Sequence, residues 1–262
     1  MSYTPPAIRK VNVVRYVTPL REGGSLPAIV EADDDFLYVA KFRGAGQGTK
    51  ALIADLIGAE LARAAGLKVP ELVLVELDEA FGRTEPDEEI QDLLKGSTGT
   101  NLGVHYLSGA ISFDPVVNKA DAMLASKIVW LDALLTNVDR TAKNTNMLVW
   151  NRELWMIDFG ACLYFHHSWD NWEQLAMSPF TNVKSHVLLA QASQLDEADK
   201  LLAAVVTPEL LNAILRSIPD DWLKGHGSPD EMRRVYHEFI TRRIAASSIF
   251  LKEAQDASAK LI

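Results

Sequence analysis

Hydrophobic and polar residues along the first hundred positions follow the short period that is typical of β-strands. Three segments rich in β-branched or aromatic residues are separated by short turns of glycine, serine and acidic residues. Two further apolar runs of similar length follow after a helical segment. The pattern predicts five strands, over residues 11–17, 26–31, 36–42, 72–77 and 103–107.

A helix is predicted between the third and fourth strands, over residues 50–65, where leucines alternate with small residues. Gly66 stands where a left-handed C-terminal cap belongs, and Pro70 prevents the helix from continuing. The segment 81–100 is acidic and then contains glycine, which predicts a surface loop or a short helix.

The later part of the chain has the longer period of helices. Residues 118–135 form an apolar segment that we expect to be a largely buried helix. Residues 147–150 and 154–157 predict a small hairpin that turns at Asn151-Arg152. Caps at Thr207-Pro208 and Ser228-Pro229-Asp230-Glu231 predict two further helices.

Together these elements predict an α+β fold with two lobes. Residues 1–108 would form a small N-terminal lobe, an antiparallel sheet with one helix. Residues 109–262 would form a larger helical lobe. The boundary is expected near residues 108–114, because Gly109 and Pro115 interrupt regular structure there.

Composition narrows the classes of function. Hydrophobic residues make up 48% and charged residues 23% of the 262 positions, as in ordinary globular proteins. The net charge of −9 argues against nucleic-acid or anionic-membrane partners. One cysteine, Cys162, excludes an intrachain disulfide. Without a membrane-length apolar run or the pattern of a signal peptide, a cytoplasmic location is expected.

Lys41 is the first candidate for chemistry. In a strand it shares a face with Val39 and Leu37, and an ammonium on such a face is costly to bury unless it meets an anion. It could hold nucleotide phosphates and pair with an acidic residue of the following helix. Alternatively, it could be an edge-strand lysine that reaches water.

Asp139 and Asn144 follow the long apolar helix, five positions apart. In phosphoryl transfer an aspartate accepts the proton of the attacking hydroxyl, and an asparagine of the same loop can ligate magnesium. Both residue types are also common in turns, which is the alternative interpretation.

Asp158 ends an apolar strand and is followed by Phe159 and Gly160, which suits a metal ligand at the edge of a cleft. It could also be an ordinary aspartate at a strand-to-turn junction. If the hairpin folds back on itself, Asn144 and Asp158 end on the same side, as two oxygen ligands suited to magnesium.

The order of these features resembles the protein-kinase superfamily and, more closely, the HipA-like kinases. The resemblance is carried by Gly66-Leu67-Lys68-Val69-Pro70 after Ala62-Arg63, and by Asp139 with Lys143-Asn144. It covers roughly residues 20–170 and implies a two-lobed protein-kinase-like fold that uses ATP and Mg²⁺. The acceptor would be an unidentified protein or small molecule.

Carried over by position, the resemblance implies that Lys41 contacts phosphates, that Asp139 is the catalytic base, and that Asn144 and Asp158 hold magnesium. It further implies a set of nucleotide-binding residues. Besides Lys41, these are Gly23, Gly24 and Ser25 over the phosphates, Asp55 as partner of the lysine, and the backbone of His105 and Leu107 at the adenine.

Several points depart from the family pattern or stay open. Asn137 stands where eukaryotic protein kinases have histidine, and the glycine turn is short. The acid of the helix is Asp55, where the family usually has glutamate, with Glu60 as the other candidate. A nucleotide-binding pseudokinase without turnover is therefore an alternative function.

A third hypothesis is a metal-dependent hydrolase built on Asp158 and nearby histidines. Cys162, His166 and His167 lie close to Asp158 in the sequence, but their spacing matches no common zinc pattern.

Overall fold

The computed structural model describes residues 5, 7–20, 26–83 and 86–261. Strands and helices are mixed, with most of the strands in the first part of the chain. The strands are β1 (Arg9–Pro19), β2 (Ala28–Ala32), β3 (Leu37–Lys41), β4 (Leu72–Leu77), β5 (Gly99–His105), β6 (Ile111–Ser112), β7 (Met147–Trp150) and β8 (Glu153–Met156). The helices are α1 (Thr49–Ala64), α2 (Glu88–Gly96), α3 (Ala122–Leu135), α4 (Trp172–Ala176), α5 (Leu195–Val205), α6 (Pro208–Arg216), α7 (Pro229–Ala245) and α8 (Ser247–Ser258).

The five predicted strands are present and form one sheet in the order β1-β2-β3-β5-β4, which closes through a β1–β4 pair. The prediction of a wholly antiparallel sheet is wrong for that pair, which runs parallel. The reason is the odd number of strands in the ring: the other four neighbouring pairs are antiparallel, so β4 runs in the same direction as β1. The register of β1 to β2 shifts twice between Val13 and Thr18. Such irregularities bend a strand, so β1 pairs with β4 at one end and with β2 at the other.

The first part of the chain contains α2 as well as α1, so the prediction of one helix is also incomplete. Of the two predictions for the segment 81–100, a surface loop or a short helix, the structure contains the short helix, α2. Asp87 caps the helix by accepting hydrogen bonds from the backbone of Glu89 and Ile90. The negatively charged side chain of Asp87 suits a helix N-terminus, where backbone N–H groups have no acceptor within the helix.

Helix α1 is buried along its length, from Leu52 to Ala62. It packs in a hydrophobic core that joins Leu74 and Leu102 of the sheet to the helices of the later chain. A smaller core lies between the strands, around Val30 and Tyr38. The buried helix therefore connects the sheet to the rest of the molecule, and a lobe boundary near residue 108 stays a prediction.

The later part of the chain confirms the predicted hairpin and the two predicted caps, whereas α3 begins at Ala122 rather than at residue 118, because Asp121 caps it. β7 and β8 form the hairpin, and Asn151 and Arg152 both take positive φ angles, 51° and 64°, as a tight hairpin turn requires. Thr207 caps α6, and Ser228 with Glu231 forms the capping box of α7. Across the described segments, no helix combines the length and the apolar character needed to cross a membrane.

Candidate active site

Lys41 is the last residue of β3, which lies between β2 and β5 in the sheet. Its ammonium contacts Asp55 of α1 at 2.8 and 2.7 Å, and Asp158 after β8 at 2.8 Å. Its side chain is 17% exposed. The alternative of an edge lysine that extends into water is therefore wrong, and Lys41 joins three separate parts of the chain.

The charges of these three groups depend on one another. Burial alone lowers the pKa of Lys41, but the carboxylates of Asp158 and Asp55 outweigh it, so this pKa is raised. Burial raises the pKa of Asp55 to about 6, although Lys41 opposes the shift. The ammonium of Lys41 holds the pKa of the more exposed Asp158 below its usual value. At neutral pH the cluster therefore contains one cation and two carboxylates.

The structure distinguishes between the two acids of α1. Asp55 faces Lys41, whereas Glu60 lies five residues further along, on another side of α1, and contacts Arg63. Arg63 also donates to the carbonyl oxygen of Pro70 at 2.8 Å. Glu60 and Arg63 thus tie the end of α1 to the chain before β4, and Asp55 is the acid that reaches the lysine.

The turn Asp158-Phe159-Gly160 is fixed against α1. Phe159 donates its backbone N–H to Asp55 Oδ1 at 2.7 Å, so one carboxylate binds both Lys41 and this turn. Asp158 itself has a φ angle of 55°, in the left-handed region that non-glycine residues rarely adopt. Such strain persists only where surrounding contacts hold it, and it is common at functional sites.

Gly58 of α1 provides the space for the Phe159 ring. A Cβ atom at this position would lie 2.6 to 2.8 Å from three side-chain atoms of Phe159. We expect Gly58→Ala to lower the free energy of unfolding by about 1–3 kcal/mol, because overpacking forces the ring and its turn to move. Chemical denaturation measures this loss.

Gly96→Ala at the end of α2 is the matched control, because a Cβ there meets only the Cα of Gly44, at 4.0 Å. Equal stability of the Gly58→Ala and wild-type proteins would show that Phe159 does not depend on this close approach.

Asp139 lies in the loop after α3 and is half-buried. Its Oδ2 atom accepts hydrogen bonds from the side-chain amides of Asn144 at 2.7 Å and Asn146 at 3.1 Å. Asn144 thus lies beside Asp139, and its predicted closeness to Asp158 stays a prediction. Asn146 was not among the predicted site residues, although it lies on the same loop and carries the same ligand chemistry as Asn144.

A buried hydrogen-bond network around Asp132 supports this loop, and it was not predicted from the sequence. Asp132 of α3 accepts from Arg140 at 2.5 Å, from the side chain of Asn137 at 2.8 Å and from His186 Nε2 at 2.9 Å. Asn137 in turn accepts the backbone N–H of Asp139 at 3.1 Å. Asp132 therefore determines where the catalytic candidate lies, without contacting it.

The two contacts of His186 show which ring nitrogen carries the proton. Its Nδ1 accepts the backbone N–H of Leu188 at 3.1 Å, so the ring proton is on Nε2 and is donated to Asp132. Burial tends to raise the pKa of Asp132, but Arg140 and His186 outweigh it and hold this pKa below the usual value.

Arg140 connects the loop to the segment after β8 that carries Asp158. Its guanidinium donates to the carbonyl oxygens of Asn146 at 2.5 Å and Ile157 at 3.3 Å. It also lies over the ring of Phe159, 5.0 Å from the centroid. One buried cation therefore contacts both segments that carry the predicted magnesium ligands.

The side chains present can supply oxygen ligands for magnesium. Asn144 uses its amide nitrogen on Asp139, which leaves its Oδ1 oxygen to act as a ligand, and Asp158 offers a carboxylate. Magnesium takes few protein oxygens and completes its shell with water and phosphate. Over the described ranges, no three His, Cys, Asp or Glu side chains form a metal-binding group.

The structure describes only some of the remaining predicted nucleotide-binding residues. Gly23, Gly24 and Ser25 lie outside the described residues. The backbone N–H of His105 donates to the carbonyl of Glu71 at 2.8 Å, and the carbonyl of Leu107 accepts from Ala110 at 3.1 Å. Contact of His105 and Leu107 with an adenine stays a prediction.

The residues of the hydrolase hypothesis make packing contacts instead. His166 Nδ1 lies 3.2 Å from the Tyr236 hydroxyl, and burial lowers the pKa of His166 to about 3. His167 Nε2 contacts Gln47 at 3.1 Å, and burial raises the pKa of the Cys162 thiol. These contacts favour a structural role for all three residues.

The site combines a buried lysine on a strand, an acid on the next helix and two loops that carry carboxylates. This combination is typical of a kinase-like protein, and comparison of structures agrees. The crystal structure of a Helicobacter pylori proinflammatory kinase, CtkA, has a similar fold, with a TM-score of 0.58. The match covers 97% of this chain and 99% of that one at 13% sequence identity, so the likeness concerns the fold alone.

The family follows from the sequence match. The model of the HipA-like kinase family matches residues 13–248, which is most of the chain. The protein therefore belongs to the HipA-like kinases. A search of curated proteins found no match.

Proposed function

We propose that the protein is an ATP- and magnesium-dependent kinase that transfers the γ-phosphoryl group to a hydroxyl. The observation that carries this proposal is the contact of Lys41 with both Asp55 and Asp158. A cation held by two carboxylates at the end of a strand can exchange one of them for a phosphate with little rearrangement. Preorganised charge of this kind is the main contribution of protein to phosphoryl transfer.

Each residue has a distinct task in this proposal. Lys41 binds phosphate oxygens, and Asp55 holds its ammonium in place. Asp139 orients the acceptor hydroxyl and takes its proton. Magnesium, when bound, offsets phosphate charge, and Asn144 and Asp158 are the residues that would hold it. The acceptor is a protein or a small molecule, and both classes fit the same arrangement.

Transfer of label from γ-labelled ATP tests the proposal directly. The purified protein should transfer phosphate to itself or to an added acceptor, or hydrolyse ATP, only when magnesium is present. Lys41→Gln should abolish this activity, because it removes the cationic side chain that the proposal places against the phosphates. Circular dichroism establishes that the variant is folded.

Two results would contradict the proposal in different ways. Activity that survives Lys41→Gln would exclude this site. A thermal shift with ATP, without transfer or hydrolysis under any condition, would identify the pseudokinase of the alternative hypothesis.

The pH dependence of activity should report on Asp55. Because its pKa is about 6, Asp55 is protonated at pH 5 and charged at pH 7, and only the charged form anchors Lys41. Activity should therefore rise with pH through about 6. Asp55→Asn should lower the activity at neutral pH and flatten this part of the pH profile, whereas an unchanged profile would exclude Asp55 as its origin.

A further inference from the structure

A short turn between α6 and α7 contacts the elements that carry the candidate active site. Asp220, Asp221 and Trp222 form it as a single 3₁₀ turn, which we name the 220–222 turn. Trp222 is 1% exposed and belongs to the same hydrophobic core as α1. A segment from the later part of the chain therefore packs against the part that contains Lys41.

The 220–222 turn forms polar contacts with three different elements. The backbone carbonyl of Trp222 accepts the hydroxyl of Thr49, the first residue of α1, at 3.0 Å. The indole Nε1 of Trp222 donates to the carbonyl oxygen of Thr100 in β5, also at 3.0 Å. Asp221 forms an ion pair with Arg43, in the connection that follows β3.

Two of these elements hold the lysine and its partner. Lys41 ends β3, two residues before Arg43. Asp55 lies six positions after Thr49 in α1, about 9 Å along the helix axis at about 1.5 Å per residue. The 220–222 turn therefore contacts both ends of the connection between Lys41 and the helix that carries Asp55.

The sequence of this connection does little to fix its shape. Residues 42–48 contain three glycines, and two of them, Gly46 and Gly48, take positive φ angles of 23° and 64°. Gly48 is the N-cap residue of α1, so this position has no side chain that could accept the first N–H groups of the helix. Contacts from distant segments are therefore needed to fix the start of α1. Besides the 220–222 turn, the carbonyl oxygen of His166 provides one, since it accepts from Lys50 at 2.6 Å.

The 220–222 turn is itself anchored to α7 through Arg233. The guanidinium of Arg233 donates to the carbonyl oxygens of Ile218 at 2.7 Å and Leu215 at 3.1 Å, and it pairs with Asp220. The side chain of Arg233 is 16% exposed, so these contacts are largely shielded from water. A series of contacts thus runs from α7 through the turn to the start of α1.

We propose that the 220–222 turn positions Asp55 against Lys41. Thr49 and Trp222 are positioning residues in this inference, because they act through Asp55 rather than on the phosphate. The inference rests on the proposed function, in which Asp55 must hold the ammonium that now lies 2.7 and 2.8 Å from its two oxygens. A displacement of about 1 Å at a reacting centre can cost about a hundredfold in rate, so small movements of α1 matter.

Thr49→Val tests the contact, because it removes the hydroxyl and keeps the shape of the side chain. We expect transfer from labelled ATP at neutral pH to slow about three- to tenfold, the effect of one lost hydrogen bond. Thr49→Ser keeps the donor and should restore the rate to within about twofold of the wild-type rate.

Thr98→Val is the matched control. Thr98 also donates its hydroxyl to a backbone carbonyl, that of Lys95 at 3.2 Å, but it is exposed and lies beyond the end of α2. This variant should transfer phosphate at the wild-type rate.

A double-mutant cycle with Asp55→Asn distinguishes a positioning role from a general loss of stability. If the turn acts through Asp55, adding Thr49→Val to Asp55→Asn should slow transfer by less than about twofold. A residue that only stabilises the fold would slow transfer by the same factor in both backgrounds.

Hydrogen exchange measures the same contact without any activity. Backbone amides near the start of α1 should exchange about three- to tenfold faster in Thr49→Val than in the wild-type protein, because the helix start opens more often. The same amides should exchange at the wild-type rate in Thr98→Val.

Two results would overturn the inference: equal transfer and exchange rates in Thr49→Val and Thr98→Val, or equal slowing by Thr49→Val in both backgrounds of the cycle. If transfer is lost in Lys41→Gln in either case, the proposed function still stands. If the wild-type protein transfers no phosphate, the proposed function is wrong, and exchange alone decides whether the turn holds α1. Faster exchange in Thr49→Val then supports that contact, and unchanged exchange overturns it.

Discussion

Asp139→Asn should bind ATP like the wild-type protein and transfer phosphate at least about a hundredfold more slowly. General-base catalysis contributes about 10²- to 10⁴-fold to such reactions, and an amide cannot accept the acceptor's proton. The substitution keeps the shape of the side chain and one oxygen, which can still accept from Asn144 and Asn146. ATP binding, measured by thermal shift, should therefore stay at the wild-type level, while transfer, measured with labelled ATP, falls.

Asp78→Asn is the matched control, because Asp78 follows β4 and its exposed side chain accepts the backbone N–H of Ala80, as is usual in a turn. This variant should retain full activity. Transfer by Asp139→Asn at the wild-type rate would exclude Asp139 as the base, whereas loss of ATP binding would indicate that the substitution has disturbed the loop.

Asp132→Ala should lower the free energy of unfolding by about 3–5 kcal/mol. It removes the carboxylate that balances Arg140, and a buried charge without its partner is strongly destabilising. It also leaves the side chains of His186 and Asn137 without their acceptor. Urea or guanidinium denaturation, followed by circular dichroism, measures the change.

Glu173→Ala is the control for this prediction. Glu173 also pairs with an arginine, Arg242, at 3.0 Å, but both side chains are largely exposed. Exposed pairs of this kind contribute about 1 kcal/mol or less. If both variants lose equal stability, the buried network contributes no more than a surface ion pair.

Asp132→Ala should affect activity as well, in a way that differs from loss of the base. Asn137 holds the backbone of Asp139 through the network, so its release should loosen the position of Asp139. Any remaining transfer should therefore retain its dependence on magnesium and on Asp139.

The local elements were predictable from the sequence because their signals are local. Strand residues, the cap at Gly66 and the capping box of α7 each depend on neighbours within a few positions, and the structure contains them. The order of Lys41, Asp139 and Asp158, together with the segment from Gly66 to Pro70, was also sufficient to indicate the family, because order and spacing are read directly from the sequence.

The buried network around Asp132 was not predicted, although part of the signal was present. Asp132 is a carboxylate within an otherwise apolar helix, and a buried charge of this kind requires a partner. The identity of that partner was not readable. His186 lies 54 positions away, and nothing in its local sequence indicates that it contacts α3.

Short-range pattern was enough to predict the strands, the bounds of α1, the N-terminal caps of α6 and α7 and the residue types that carry the chemistry. Two features could be read from the packed chain alone: Asp55 rather than Glu60 meets Lys41, and β1 pairs in parallel with β4. Each depends on how distant segments pack against one another, and packing is set by the shape and burial of the whole chain rather than by neighbouring residues.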